Sequence, residues 1–250
     1  MPSFHSDSVS IAYIDEGEGE PILLIHGFAS NVVANWQDPG WIATLRASGR
    51  RVVAFDNRGH GRSDKLYEPE RYGAPIMAED ARRLLDRLGI GKADVMGYSM
   101  GARIAAFLVL KHPQRVRSVV FAGLGINMVR GMVGSGPLAK ALEARSIDEV
   151  TNDTARSFRA FAEHTKSDLA ALAACMRGPR EKLTPEQLSG IAVPTLVAVG
   201  TADVIGGSGA ELAALIPGAK LLDIEGRDHM KAVGDAHFKQ GVLDFLTRRP

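Results

Sequence analysis

Two kinds of apolar pattern alternate along this chain. Val9, Ile11 and Tyr13 share one parity, Ala12 and Ile14 take the other, and Gly17 and Gly19 close the segment, as in a half-buried strand. Six later runs are continuous rather than alternating: "PILLIHG", "RRVVAFDNRG", "ADVMGYS", "VRSVVFAGLG", "VPTLVAVGTAD" and "AKLLDIEG". Each is short, rich in β-branched residues and closed by Gly, Asp or Asn. Parallel strands covered on both faces read this way. Helical periods lie between them. Met77, Ala81, Leu84, Leu85 and Leu88 fall on one helical face with charges opposite, and Gly89 follows as a C-terminal cap. The stretch "MGARIAAFLVLKHP" is apolar nearly all round until Lys111 and stops at Pro113, which suits a helix inside the layers. "GSGAELAALIPG" and "VGDAHFKQGVLDFL" are two more helices. The alternation predicts an α/β fold: a mostly parallel sheet flanked by helices.

One region breaks the rhythm. Residues 127–190 carry no convincing strand. "PLAKALEARSIDEV", "NDTARSFRAFAEHTK" and "SDLAALAACMRG" read as short helices, and "PREKLTPEQLSG" as a polar stretch. A helical insertion between two strands is expected here.

Composition narrows the function. At 250 residues the chain is long enough for one large domain. A net charge of +1 gives no basic field for nucleic acid, and the sparse aromatics are not interleaved with Lys/Arg clusters. The N-terminus has no secretory pattern and no apolar run reaches a membrane-spanning length, so no membrane association and a cytoplasmic location are expected. Cys175 is the single cysteine; it can form neither an internal disulfide nor a Cys-rich metal site, and its apolar neighbours suggest a buried thiol.

The chemistry concentrates at "DVMGYSMGAR", where Ser99 stands between Gly97 and Gly101 at a strand-to-helix junction. Gly-x-Ser-x-Gly in that context makes a sharp turn that projects the hydroxyl above the carboxyl end of the sheet. A serine needs a base. Of seven histidines, His229 follows the last strand run and precedes the last helix, on the sheet edge that carries Ser99. Asp203 ends another strand run 26 residues earlier and is the expected orienting carboxylate; Asp223 and Asp228 are its rivals. Developing negative charge needs fixed N–H donors. The Met100 amide supplies one, and the loop at Gly27 presents that of Phe28.

With these pieces in order, the sequence resembles the α/β-hydrolase superfamily over nearly its whole length. The matching pieces are "LLIHGF", "VVAFDNRGHGRSD", "DVMGYSMGARIAA", "PTLVAVGTAD" and "EGRDHM", and the order Ser99, Asp203, His229 is the family's. The resemblance implies an eight-stranded, mostly parallel sheet. It implies a hydrolase core of residues 1–126 and 191–250, with residues 127–190 as a helical cap. It also implies the Phe28 and Met100 amides as oxyanion hole. His26, Asp56, Arg58, Gly59 and Gly61 are expected to shape loops. Ala102 stands where many members have a further glycine, and the "HGGG" run of some lipases is absent. Epoxide hydrolases and haloalkane dehalogenases of the superfamily place aspartate at the elbow, so Ser99 speaks for acyl transfer through an acyl-enzyme.

A carboxylesterase with a small-molecule acyl substrate is therefore expected, acting as a monomer or homodimer without metal or organic cofactor. Acyl transfer, perhydrolysis, carbon–carbon hydrolysis and a slow-turnover ligand receptor use the same arrangement. Phe28, Leu124, Met128, Met132 and Met230 are expected to line a mainly apolar pocket. Arg103 and Arg130 are candidates to meet a charged substrate, with solvation the expected role.

Overall fold

Eight strands form one sheet in the order β1-β2-β4-β3-β5-β6-β7-β8 in a computed structural model, which describes residues 1–131 and 135–249. They are β1 (Ser3–Ser6), β2 (Val9–Glu16), β3 (Glu20–Ile25), β4 (Arg50–Phe55), β5 (Ala93–Tyr98), β6 (Val116–Ala122), β7 (Thr195–Gly200) and β8 (Lys220–Ile224). β1–β2 and β2–β4 pair antiparallel; every pair from β4 through β3, β5, β6 and β7 to β8 is parallel.

The continuous apolar runs are explained by two separate cores. Leu23, Ile25, Val53, Phe55, Val95, Val119, Phe121, Val197 and Val199 face one of them. Their neighbours Ile22, Leu24, Val52, Ala54, Met96, Val120, Leu196 and Ala198 face the other. Each strand residue in the middle of the sheet is thus buried, whichever way it points. Helices α2 (Ala74–Arg87) and α3 (Met100–Lys111) cover the first face through Met77, Leu84, Ile104 and Leu108, joined by Leu212 of α9 (Gly209–Ala214). Helices α1 (Trp41–Ala47) and α10 (Ala236–Arg248) cover the second through Trp41, Leu45, Phe238 and Val242. β8 departs from expectation: as the outermost strand it is exposed over most of its length, and only Ile224 is fully buried.

Between β6 and β7 the chain forms α4 (Asn127–Arg130), α5 (Ser135–Glu143), α6 (Asp153–His164), α7 (Leu169–Arg177) and α8 (Pro185–Ser189). Leu138, Leu142, Phe158 and Leu172 bury their side chains in the first core. The stretch read as merely polar contains α8. Thr184 and Gln187 close a reciprocal cap around its first turn, with Pro185 at the first helical position.

Candidate active site

Ser99 occupies the junction of β5 and α3 with φ +55° and ψ −113°. A non-glycine residue held there stores about 1–3 kcal/mol of strain. The flanking glycines make that corner possible. A Cβ at Gly101 would overlap the Ile25 carbonyl at the end of β3, and one at Gly97 would overlap the Gly101 carbonyl. The turn is pinned by the Ser99 amide donating to the Ala122 carbonyl at 2.7 Å. The serine sits at the amino end of α3, where the helix field favours negative charge.

His229 lies in the loop between β8 and α10 and is 5% exposed. Its Nδ1 stands 2.7 Å from Asp203 Oδ2 and its Nε2 2.9 Å from Ser99 Oγ. A carboxylate only accepts, so Nδ1 carries the proton and Nε2 is left to accept the serine's. Asp203 itself is fixed: its Oδ1 takes the amides of Ile205 at 2.8 Å and Gly206 at 2.7 Å. The Tyr98 hydroxyl donates to the His229 carbonyl at 2.6 Å, which ties the histidine loop to β5. Burial pushes that phenol's pKa well above its ordinary value, so it remains a donor. The rival aspartates do other things. Asp223 lies exposed in β8, and Asp228 accepts the Lys231 amide at 2.8 Å and the Met230 amide at 3.1 Å, folding its own turn.

Phe28 follows Gly27, whose added Cβ would lie 3.3 Å from that of Ser99, so the loop after β3 abuts the serine. Asn35 Oδ1 accepts the Gly27 amide at 3.0 Å. Among the described residues neither the Phe28 nor the Met100 amide is taken by an acceptor.

Beneath this rim lies a buried histidine pair. His26 Nδ1 donates to the Gly27 carbonyl at 2.7 Å and its Nε2 accepts the Asn57 amide at 2.9 Å. Burial drops the His26 pKa to about 4, and burial aided by the neighbouring His26 drops that of His60 to about 3. Both are neutral supports. Asp56 accepts the amides of Val32 and Arg62, each at 2.7 Å, and its carboxylate fills the space a side chain at Gly61 would need. Arg58 pairs with buried Asp80 through Nη2–Oδ1 at 2.7 Å.

A cavity of about 280 Å³ opens onto Ser99 and His229, lined by Phe28, Tyr98, Phe158, Phe161, Met230 and Val233, with Ser30, Asn35 and Ser157 as polar members. No Asp, Glu, Lys or Arg lines it among the described residues. Phe28 and Met230 stand where the sequence reading puts them. Leu124 and Met128 do not: both are packed in the core. The Gly125 and Ile126 amides donate to the Gly206 and Ser208 carbonyls, each at 2.9 Å, which ties the start of α4 to the loop after β7. Met132 lies outside the described residues. Arg103 donates to the carbonyls of Asn127 and Met128, each at 2.8 Å, and Arg130 pairs with Glu211 at 2.6 Å, so neither faces the cavity. Tyr98, Asn35, Phe158, Phe161 and Val233 were not singled out by sequence; an aromatic in the insertion or a tyrosine before the elbow carries no motif of its own.

A parallel-sheet fold with a serine at a strained strand-to-helix corner, hydrogen-bonded through histidine to aspartate, defines a class. A family model described as alpha/beta hydrolase fold matches residues 20–138. The chain has the α/β-hydrolase fold. It is 37% identical over 109 residues to the 2-hydroxymuconate semialdehyde hydrolase of Pseudomonas sp. (strain CF600), an alignment covering 44% of this chain and 38% of that protein. The match thus spans under two fifths of that relative. To the non-heme chloroperoxidase CPO-A1 of Kitasatospora aureofaciens it is 29% identical over 97% of this chain and 98% of that protein. The enol-lactonase from Burkholderia xenovorans LB400 shares the fold, with a TM-score of 0.81 at 24% identity, covering 99% of this chain and 100% of the other. Among the described residues no helix is long and apolar enough to cross a membrane.

Proposed function

We propose that the chain hydrolyses carboxylic esters of small, uncharged, mainly apolar acids through an acyl-enzyme on Ser99. One observation carries this reading: the Asp203–His229–Ser99 hydrogen-bonded chain, at 2.7 and 2.9 Å, opening onto a small cavity without charged side chains. Ser99 Oγ attacks the ester carbonyl while His229 Nε2 takes its proton, and Asp203 stabilises the resulting imidazolium. The carbonyl oxygen gains negative charge and is received by the Phe28 and Met100 amides. As the tetrahedral species collapses, the C–O bond to the alcohol breaks and His229 protonates the leaving oxygen. Water, deprotonated by the same nitrogen, then attacks the acyl carbon, and Ser99 recovers its proton as the acid departs. Residues 127–190 act as a cap in this reading, because Phe158 and Phe161 of α6 supply the cavity's outer wall.

The same groups can cleave a carbon–carbon bond beside a carbonyl, a second reading favoured by the identity to the semialdehyde hydrolase. A panel of p-nitrophenyl esters from acetate to octanoate tests the first. Wild-type protein is expected to turn over the short members. Ser99→Ala is expected to lose on the order of 10³ or more in rate. Equal, background rates for both proteins on every ester defeat the proposal.

A further inference from the structure

We propose that the helical insertion completes the anion-receiving corner: Thr165, at the end of α6, is a positioning residue that holds the Phe28 peptide in place. This rests on the ester-hydrolase reading above.

The segment Gly27–Phe28–Ala29 is gripped from two sides. From the core, Asn35 Oδ1 accepts the Gly27 amide at 3.0 Å, and the His60 ring meets the Phe28 ring edge-on, centroids 5.7 Å apart. From the insertion, the Phe158 ring lies 6.1 Å from that of Phe28, and Thr165 Oγ1 lies 3.0 Å from the Ala29 carbonyl. Ala29 is held at φ +58°, a conformation that an alanine adopts only under constraint. The Thr165 hydroxyl also lies near the carbonyls of Phe161 and Ala162, each at 3.1 Å. Those two already accept the amides of Thr165 and Ser167, each at 2.9 Å. Among the described residues the Ala29 carbonyl has Thr165 as its sole donor. Ser167 Oγ, 2.9 Å away, can donate to Thr165 and so release the threonine proton toward Ala29. The insertion therefore adds a constraint on Ala29 beyond the local turn, in which the Ser30 amide donates to the Gly27 carbonyl at 3.4 Å. By fixing the Ala29–Ser30 peptide it limits how the Phe28 residue just before it can turn, and the Phe28 amide stays without an acceptor. Docking of the insertion and assembly of the charge-stabilising site become one event.

Thr165→Val keeps the shape and removes the donor; Thr165→Ser keeps the donor. Active sites are counted with a p-nitrophenyl phosphonate, and kcat and KM are measured per titrated site on a short p-nitrophenyl ester. Amide hydrogen exchange of residues 27–31 is followed in parallel. Expected for Thr165→Val is a kcat loss of about 10- to 100-fold with KM within about threefold, and faster exchange at residues 27–31. Thr165→Ser is expected to restore both. Thr165→Ala repeats the comparison should valine not fold. Wild-type kcat per site in Thr165→Val, or unchanged exchange, overturns the proposal. Absence of Ser99-dependent turnover in the wild type instead removes the ester-hydrolase reading, while the exchange comparison still decides whether Thr165 holds the loop.

Discussion

A single methyl group separates Gly101 from alanine, and there is no room for it. Its Cβ would overlap the Ile25 carbonyl, and that carbonyl ends a central strand paired on both sides. The strand cannot retreat without breaking its pairing, and α3 can move only by leaving the sheet and distorting the serine corner. Gly101→Ala is therefore expected to cost more than the ~1–3 kcal/mol of ordinary overpacking. Gly91→Ala, whose added Cβ meets nothing within 4 Å, is expected to stay within about 0.5 kcal/mol. Urea unfolding of both variants checks this, with a constant slope showing that the end states are unchanged. At this scale the sequence revealed the reactive corner unusually well. Glycines at 97 and 101 are a local steric demand, and Asp203 and His229 each end or follow a strand run, so topology alone brings them to one rim. Tyr98 and Thr165 were illegible because each acts through a hydrogen bond on a residue far along the chain, and Asn35 because its bond to Gly27, eight positions away, follows no sequence motif. Leu124 and Met128 were misplaced because apolar character does not distinguish a cavity wall from a core.

Elements were legible in proportion to how their burial writes itself into pattern. Strands β3 to β7 lie between two cores and so appear as unbroken apolar runs. β1 has only four residues, alternating exposed and buried, and offers too little pattern to register. α1 spans seven residues, too few for a period to repeat. α8 has a single fully buried side chain, Leu188, and is specified by its ends. Its signal was the Thr-Pro-Glu-Gln order, a capping box, rather than any periodicity. Because so little packing holds it, the cap should dominate. Thr184→Ala is expected to cost about 1 kcal/mol, read as accelerated amide exchange confined to residues 184–190. An unchanged exchange rate there would mean that Leu183 and Leu188 suffice.

For the molecule as a whole, acid is the informative stress. In the folded protein His26 and His60 bind protons only near pH 4 and pH 3, because burial penalises their charged forms. In the unfolded chain both take protons near 6.5. Between those limits the unfolded state holds more protons, so stability rises with pH in this window and is lost as pH falls below about 6.5. Each histidine contributes a slope of up to ~1.4 kcal/mol per pH unit. Urea midpoints are expected to be level between pH 8 and 7.5 and to drop steeply from pH 6 to 4.5. A curve that is flat to pH 4.5 would contradict the neutral pair beneath the reactive rim.

The solitary thiol carries one more implication. Cys175 is shut against the core in α7, and burial pushes its pKa up to about 12. Reagents in solution can reach its sulfur only while α7 stands away from α5 and the turn at Pro69–Arg71, against which it packs. The protein thus contains its own stopwatch for that separation, readable by mass at one atom without any engineered label.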